Sequence, residues 1–213
     1  MHIISSKPLS LATLRTLVFE GSDIVLSDEV VQKIQECRDY LDQKIASTSD
    51  PIYGINTGFG SLCDVRIHSE NLTKLQENLV RSHACGTGAL VPESIIKLML
   101  LLKIKSLSFG HSGVQLETVN RLVSFYNNDI LPVIYTQGSL GASGDLAPLA
   151  HLALPLIGEG MVWYKGIQTP ASEVLSAFDW TPIVLQSKEG LALLNGTQFM
   201  TAYGVHSLLK SFK

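Results

Sequence analysis

The amino-acid sequence predicts a mainly α-helical fold with small β hairpins, and two patterns carry that prediction. Apolar residues recur at the 3.6-residue spacing of an amphipathic helix in several long stretches, most clearly in residues 28–48. Two short runs, 161–164 and 166–168, meet at the turn pair Lys165-Gly166, as is typical of a hairpin. No internal repeat or low-complexity linker divides the 213 residues, so we expect a single domain.

The predicted elements follow one another in a simple order. A short strand is expected at residues 23–26, and Ser27 with two acidic residues after it favours the start of the next helix. Pro92 begins a helix whose apolar residues run nearly all round, which indicates deep burial. Residues 131–135 are predicted to be extended. The other predicted helices cover residues 9–19, 69–84, 115–127, 147–157 and 170–178.

The last predicted helix begins at Glu189 and contains the pair Asn195-Gly196. Taken alone, Asn-Gly signals a turn. Residues on both sides of the pair nevertheless keep a helical period, so the sequence favours a helix that runs through it. The residues that keep this period are Leu191, Leu194, Gln198, Ala202 and Val205.

Composition excludes several classes of function. Charged residues make up 16% of the chain, below the roughly 25% of ordinary soluble domains, which suggests large buried interfaces or a missing packing partner. A net charge of −3 and a pI near 6.0 argue against nucleic-acid binding. The longest apolar run, residues 98–102, is too short to span a bilayer, and residues 1–8 lack a secretion signal. We expect no membrane partner.

The cysteines and three of the six histidines point to no metal site. Cys37, Cys63 and Cys85 are odd in number and lack metal-ligand spacing, so we expect reduced thiols in a cytoplasmic protein. Three histidines also lack ligand spacing and are expected to be structural: His111, His151 and His206.

The most informative run is residues 138–150, which read Gly-Ser-Leu-Gly-Ala-Ser-Gly-Asp-Leu-Ala-Pro-Leu-Ala. Gly144 has no side chain, so its backbone nitrogen can attack the carbonyl carbon of Ala142 and close a five-membered ring. Loss of one water from the ring and one from Ser143 leaves a 4-methylidene-imidazol-5-one (MIO), an electrophile made from backbone. The alternative from residue types alone is an ordinary loop followed by a helix with Asp145 as its N-cap.

The whole run resembles the signature of the MIO-dependent ammonia-lyase and aminomutase family, which comprises histidine, phenylalanine and tyrosine ammonia-lyases and their aminomutase relatives. The resemblance implies that Ala142, Ser143 and Gly144 form MIO autocatalytically, with no external cofactor. It also implies the fumarase/aspartase-like helical fold of these lyases. A helix that begins near Asp145 would point its positive end at the ring and make the ring more electrophilic.

Three further stretches resemble motifs of the same family. Residues 53–60, Tyr-Gly-Ile-Asn-Thr-Gly-Phe-Gly, resemble its second signature, in which the tyrosine removes the substrate's β-proton; this role passes to Tyr53. As a base near neutrality, this phenol would need nearby positive charge or helix N-termini. His83 matches the segment that faces the substrate side chain, and Asn195 matches the asparagine that holds the amino-acid head. By local pattern alone, Tyr53 would be a loop aromatic and His83 a satisfied core histidine.

The substrate follows from the Arg-Ser-His pattern at residues 81–83, which resembles histidine ammonia-lyases. The resemblance implies conversion of L-histidine to urocanate and ammonia, the first step of histidine breakdown. Histidine also occurs at this place in tyrosine-specific lyases and aminomutases, so a tyrosine or phenylalanine lyase or aminomutase is the alternative. A third alternative is a catalytically silent fragment that persists as a helical interaction module.

The chain is much shorter than the subunits of this family. The resemblance therefore implies that residues 1–213 are a single N-terminal MIO domain plus the start of the central helix bundle. The absent C-terminal half supplies further site residues in the family, so we expect the chain alone to be inactive. The full-length protein is expected to be a homotetramer.

Overall fold

The computed structural model describes residues 1–48, 50–63, 65–138 and 144–211, except for the side chains of residues 62 and 69. These residues form nine α-helices and seven short strands. The helices are α1 (Leu11–Arg15), α2 (Asp28–Ser47), α3 (Leu72–His83), α4 (Glu93–Leu107), α5 (Leu116–Asn127), α6 (Leu146–Ala153), α7 (Ala171–Ala177), α8 (Glu189–Leu194) and α9 (Gln198–Ser211). The mainly helical fold predicted from the sequence is confirmed.

Helix α4 is the centre of the core. Its residues Leu98, Met99, Leu100 and Leu101 are completely buried in succession, which is the all-round burial that the sequence predicts. Helices α5 and α9 pack against it. Each fully buried side chain of this size stabilises the fold by about 1.5–3 kcal/mol, so this helix is a main source of stability.

Three small sheets lie around the helices. Strands β1 (His2–Ile4) and β2 (Ile24–Leu26) pair in parallel, and β3 (Thr87–Leu90) pairs antiparallel with β5 (Tyr135–Gln137). The predicted hairpin is present as β6 (Met161–Tyr164) and β7 (Ile167–Pro170), and β4 (Leu131–Pro132) adds a third strand to it. The β3–β5 pair leads the chain directly to residue 138, at the start of the signature run.

Most predicted helices appear with small changes at their ends. The predicted helix at 9–19 is a short α-helix followed by a π-helical turn, Thr16–Gly21. The predicted helices at 69–84 and 147–157 each include a 3-10 turn, Ser69–Asn71 and Leu154–Ile157. Ser27 caps α2 as expected, because its side chain accepts a hydrogen bond from the N–H of Val30.

One predicted helix is wrong. The helix expected to run through Asn195-Gly196 is two helices, because α8 ends at Leu194 and α9 begins at Gln198. Asn195 has extended backbone angles (φ −84°, ψ 124°), and Gly196 has φ +152°, a conformation that favours glycine and cannot continue a helix. The break therefore falls at the pair that carries the turn signal, and the helical period does not continue through it.

In the described part of the chain, no helix is both long and apolar enough to cross a membrane. Cys37, Cys63 and Cys85 are all free thiols.

Candidate active site

The short helix α8 connects the segments that carry the predicted site residues. On one side it lies against α3, the helix that ends at His83. The N–H of Gly190 donates to Oε1 of Gln76 at 2.9 Å, and a Cβ at Gly190 would lie 2.8 Å from the backbone oxygen of Gln76. Such a close approach of two helices requires glycine at this position.

The Tyr53 loop packs on the same helix. Gly54 lies so close to α8 that a Cβ there would be 2.6 Å from Cδ2 of Leu191. The loop is closed by Asn56, whose side chain accepts from the N–H of Ile52 at 2.6 Å and donates to the carbonyl of Asp50 at 3.0 Å. The contact between Gly54 and Leu191 thus holds the loop against α8.

Tyr53 itself projects from this loop and is 59% exposed. Its ring meets the ring of Phe59 edge-on, with 5.9 Å between centroids. No residue in the described ranges forms a hydrogen bond with its hydroxyl. The positive charge that a phenolate base requires is therefore not supplied by a direct contact within the described residues.

His83 is the last residue of α3 and is half-buried. Its Nδ1 lies 2.8 Å from the carbonyl oxygen of Leu79 and 3.1 Å from the hydroxyl of Ser82. A carbonyl only accepts hydrogen bonds, so Nδ1 carries the hydrogen and Nε2 of the neutral ring has the free lone pair. The ring is thus oriented by its own helix, and Nε2, which bonds none of the described residues, can accept a hydrogen bond from a substrate.

Asn195 and Gly196 lie between α8 and α9. The side chain of Asn195 is exposed, whereas its backbone ends α8 through a hydrogen bond from its N–H to Leu191. Gly196 forms a parallel β-bridge with Gly144. Asn195, the predicted substrate-binding residue, therefore directly precedes a residue whose backbone pairs with the last residue of the predicted MIO triplet.

Of that triplet, Ala142 and Ser143 lie outside the described residues, and Gly144 lies within them. Gly144 has φ +85°, and the nearest atoms to a Cβ there would be at 3.7 Å or more. Helix α6 begins two residues later. The small, positive-φ backbone at Gly144 fits a residue that folds back to form a ring.

Asp145 is the N-cap residue of α6, as the sequence predicts, although its side chain forms no capping bond to that helix. Its carboxylate instead accepts the N–H of Met200 at 3.0 Å, in the first turn of α9. Burial raises the pKa of Asp145, and the N–H groups of Met200 and Phe199 oppose that rise. A carboxylate at the start of α9 is favoured by the helix dipole, so Asp145 anchors α9 beside Gly144.

A cleft of about 590 Å³ lies next to Gly144. Its walls include Pro148 and the α9 residues Phe199, Met200 and Tyr203. Tyr53, His83 and Asn195 do not line it. The structure thus brings together the segments that carry the predicted residues, and places the open cleft on the α9 side of Gly144.

One known protein family matches most of this chain. A family model described as "Aromatic amino acid lyase" matches residues 9–213. The chain belongs to this family. The predicted resemblance is confirmed, and the family to which the chain belongs is MIO-dependent.

Individual members of the aromatic amino acid lyase family match along the whole chain. Histidine ammonia-lyase of Halalkalibacterium halodurans is 46% identical over 213 residues, which are 100% of this chain and 42% of that protein. The histidine ammonia-lyase of Legionella pneumophila (strain Lens) is 45% identical over 209 residues, 98% of this chain and 41% of that protein. The chain therefore spans about two fifths of the length of these curated relatives.

Solved structures of the family have the same fold. A crystal structure of histidine ammonia-lyase from Trypanosoma cruzi superposes with a TM-score of 0.87 at 38% identity and covers 97% of this chain and 40% of that one. Tyrosine aminomutase from Streptomyces globisporus gives a TM-score of 0.87 at 35% identity and covers 96% of this chain and 38% of that one. Lyases and an aminomutase thus share this architecture.

Sequence reasoning missed a buried carboxylate that supports the site. Glu189, at the start of α8, is completely buried and accepts hydrogen bonds from Gln186, Gln115 and Thr118 at 2.6–2.9 Å. These bonds join α8 to the beginning of α5. A glutamate next to Gly190-Leu191 in an otherwise apolar stretch was the available signal, because buried carboxylates require such partners.

Proposed function

We propose that the chain is the N-terminal portion of a histidine ammonia-lyase, which converts L-histidine to urocanate and ammonia. Residues 1–213 would form the MIO domain and the start of the central helix bundle. The support is the identity of 45–46% to curated histidine ammonia-lyases along the whole chain. The single structural observation that carries the proposal is the backbone bridge between Gly144 and Gly196, which joins the MIO-forming run to the Asn195 motif.

The MIO group, formed from Ala142, Ser143 and Gly144, supplies an electrophile for the substrate amine. The residues of this chain bind and orient the substrate around it. With Nδ1–H bound to Leu79, His83 presents Nε2 as an acceptor for the N–H of a substrate imidazole. The amide of Asn195 would hold the amino-acid head, and the phenolate oxygen of Tyr53 would take the β-proton and become a hydroxyl.

A second candidate is a tyrosine aminomutase. The observation in its favour is the likeness to the tyrosine aminomutase of Streptomyces globisporus, at the same TM-score as the histidine ammonia-lyase structure. The Nε2 acceptor of His83 could equally bind the hydroxyl of a tyrosine ring. The two candidates differ in the polar group of the substrate ring and in the product.

Intact mass tests whether the ring forms. The 213-residue protein is expected to weigh two water molecules less than its sequence, with the loss in the peptide that contains Ser143. Ser143→Ala is the matched control, because it removes the side chain that loses the second water, and it should not show the double loss. A wild-type chain of unmodified mass would contradict autocatalytic ring formation within these residues.

Substrate tests on the complete protein encoded by the gene separate the two candidates. Histidine, tyrosine and phenylalanine are supplied in parallel, and urocanate, cinnamates and β-amino acids are measured. Urocanate from histidine alone supports the lyase proposal, whereas β-tyrosine without urocanate would replace it with the aminomutase.

We also propose that the full-length protein is a cytoplasmic homotetramer. The free thiols of Cys37, Cys63 and Cys85 are consistent with a reducing compartment. The exposed side chains of Met200 and Leu208 on α9 leave apolar surface for a helix-bundle interface. Sedimentation equilibrium of the complete protein should give four times the subunit mass; a monomer would exclude the tetramer.

A further inference from the structure

Lys103 is a buried lysine whose amine binds the end of α8. It lies in the middle of α4 and is 1% exposed. Its Nζ donates to the carbonyl of Ala192 at 2.7 Å and to the carbonyl of Asn195 at 3.2 Å. Within the described residues it forms no ion pair with a carboxylate. The two carbonyls at the C-terminal end of α8 are thus its only hydrogen-bond partners there.

Burying this amine has a free-energy cost that an apolar residue would avoid. Burial lowers the pKa of Lys103 to about 7, so the charged form is disfavoured. The C-terminal end of a helix carries partial negative charge and unpaired carbonyls, which offset part of the cost. A neutral amine still has two N–H groups, enough for both carbonyls. These bonds therefore persist in either protonation state.

The two carbonyls bound by Lys103 are among the four that a continuous helix would use to cross this point. In an unbroken helix, the carbonyl of Ala192 would accept from Gly196, and the carbonyl of Asn195 would accept from Phe199. Lys103 binds both carbonyls instead. On the other side of the break, Asp145 accepts the N–H groups of Met200 and Phe199. Lys103 and Asp145, from distant parts of the chain, thus bind the carbonyl of Asn195 and the N–H of Phe199, which would pair with each other in a continuous helix.

We propose that Lys103 is a positioning residue that interrupts α8 and α9 at Asn195-Gly196 and thereby holds Gly196, the neighbour of Asn195, in its bridge with Gly144. Its role in catalysis rests on the proposed ammonia-lyase function, whereas its role in the backbone break does not. Without Lys103 the helical period around Asn195-Gly196 would favour a continuous helix, and the bridge between Gly196 and Gly144 would be lost.

The first test follows the backbone in the 213-residue chain by NMR. Lys103→Met removes the donor and keeps an unbranched side chain, and the Cα shifts of Asn195 and Gly196 should lose their wild-type values. Lys105→Met is the matched control, because Lys105 is also largely buried on α4 and donates to a carbonyl, that of Ser5 at 2.5 Å. Wild-type shifts at both residues in Lys103→Met would overturn the proposal.

A second measurement needs no variant and keeps the proposal testable if Lys103→Met does not fold. The Nζ–H signals of Lys103 in ¹⁵N-lysine-labelled wild-type protein should exchange with water at least tenfold more slowly than those of the exposed Lys7. Equal exchange rates would mean that the amine is not held by the two carbonyls and would overturn the proposal.

The third test measures catalysis in the complete protein. With the double water loss verified by mass, Lys103→Met should lower kcat for histidine about 100-fold, since a displacement near 1 Å has an effect of that order. Lys105→Met should stay within about threefold of wild type at a similar loss of thermal stability. Equal kcat in the two variants would overturn the catalytic role. A wild-type protein that makes no urocanate would instead contradict the proposed function, and the NMR result would still decide the backbone role.

Discussion

The break at Asn195-Gly196 and the loop around Tyr53 both present an exposed side chain from the candidate site, but their backbones are held in different ways. At the break, Lys103 and Asp145 bind the helix ends across 92 and 55 residues of sequence. In the loop, the side chain of Asn56 bonds to its near neighbours Ile52 and Asp50, and its carbonyl accepts from the N–H of Ile67, eleven residues on. The Tyr53 loop meets α8 through the apolar contact of Gly54. Buried long-range polar bonds make the break the more constrained of the two.

If this comparison is right, the largest effect on stability will come from Glu189, the buried carboxylate that anchors α8. Glu189→Ala leaves the N–H groups of Gln115 and Gln186 without a partner, and we expect a loss of roughly 3 kcal/mol in unfolding free energy. Glu117→Ala, at an exposed carboxylate on α5, is the control and should change the unfolding free energy by less than about 0.5 kcal/mol. Urea denaturation measures both; similar values would show that α8 is not anchored in this way.

The next largest effect should be the pH dependence that Lys103 contributes to the folding stability. Its folded-state pKa of about 7 lies below the ordinary value of 10.5, so between these values the unfolded chain binds more protons than the folded one. Stability contributed by this group therefore rises with pH across that window, by at most about 1.4 kcal/mol per pH unit. The wild type should gain stability from pH 7 to 9 relative to Lys103→Met. A difference that does not change with pH would contradict the lowered pKa.

A smaller effect should come from the contact between the Tyr53 loop and α8. Gly54 and Gly60 both have positive φ, +73° and +59°, so alanine at either should cost about 1 kcal/mol through backbone strain alone. Among the described residues, the new methyl group would meet a neighbour at Gly54, Cδ2 of Leu191 at 2.6 Å, and none within 4 Å at Gly60. The unfolding free energy of Gly54→Ala should therefore be lower than that of Gly60→Ala by about 1 kcal/mol. Thermal unfolding of the pair measures this, and equal midpoints would mean that the loop does not rest on α8.

The smallest effect should be that of Tyr53→Phe on stability. The hydroxyl of Tyr53 is exposed and forms no hydrogen bond with the described residues, so removing it should change the unfolding free energy by less than about 0.5 kcal/mol. Tyr126→Phe is the contrast: its buried hydroxyl donates to the carbonyl of Leu17 at 2.6 Å, and its loss should cost about 1 kcal/mol. A marked destabilisation by Tyr53→Phe would show that the loop is held through this hydroxyl.

Much of the secondary structure and the family could be predicted from local sequence. Hydrophobic periodicity located α2, the apolar stretch after Pro92 located α4, and the Lys165-Gly166 turn located the hairpin, because these signals come from residues close together in the chain. The motif around residues 138–150 indicated the family, which the comparison confirms. The roles of Tyr53, His83, Asn195 and the MIO triplet stay predictions.

Tertiary structure alone decided how the segments of the candidate site meet. From residues 189–205, the helical period favoured one helix, and the turn signal of Asn195-Gly196 opposed it. Two groups outside that stretch, the amine of Lys103 and the carboxylate of Asp145, bind the helix ends on either side of the break and stabilise it. Local pattern cannot reveal such bonds, since they exist only once α4 and α6 have packed against this region. The sequence by itself thus determined which elements form and which family they belong to. Packing determined where α8 ends and, with it, how Gly196 reaches Gly144.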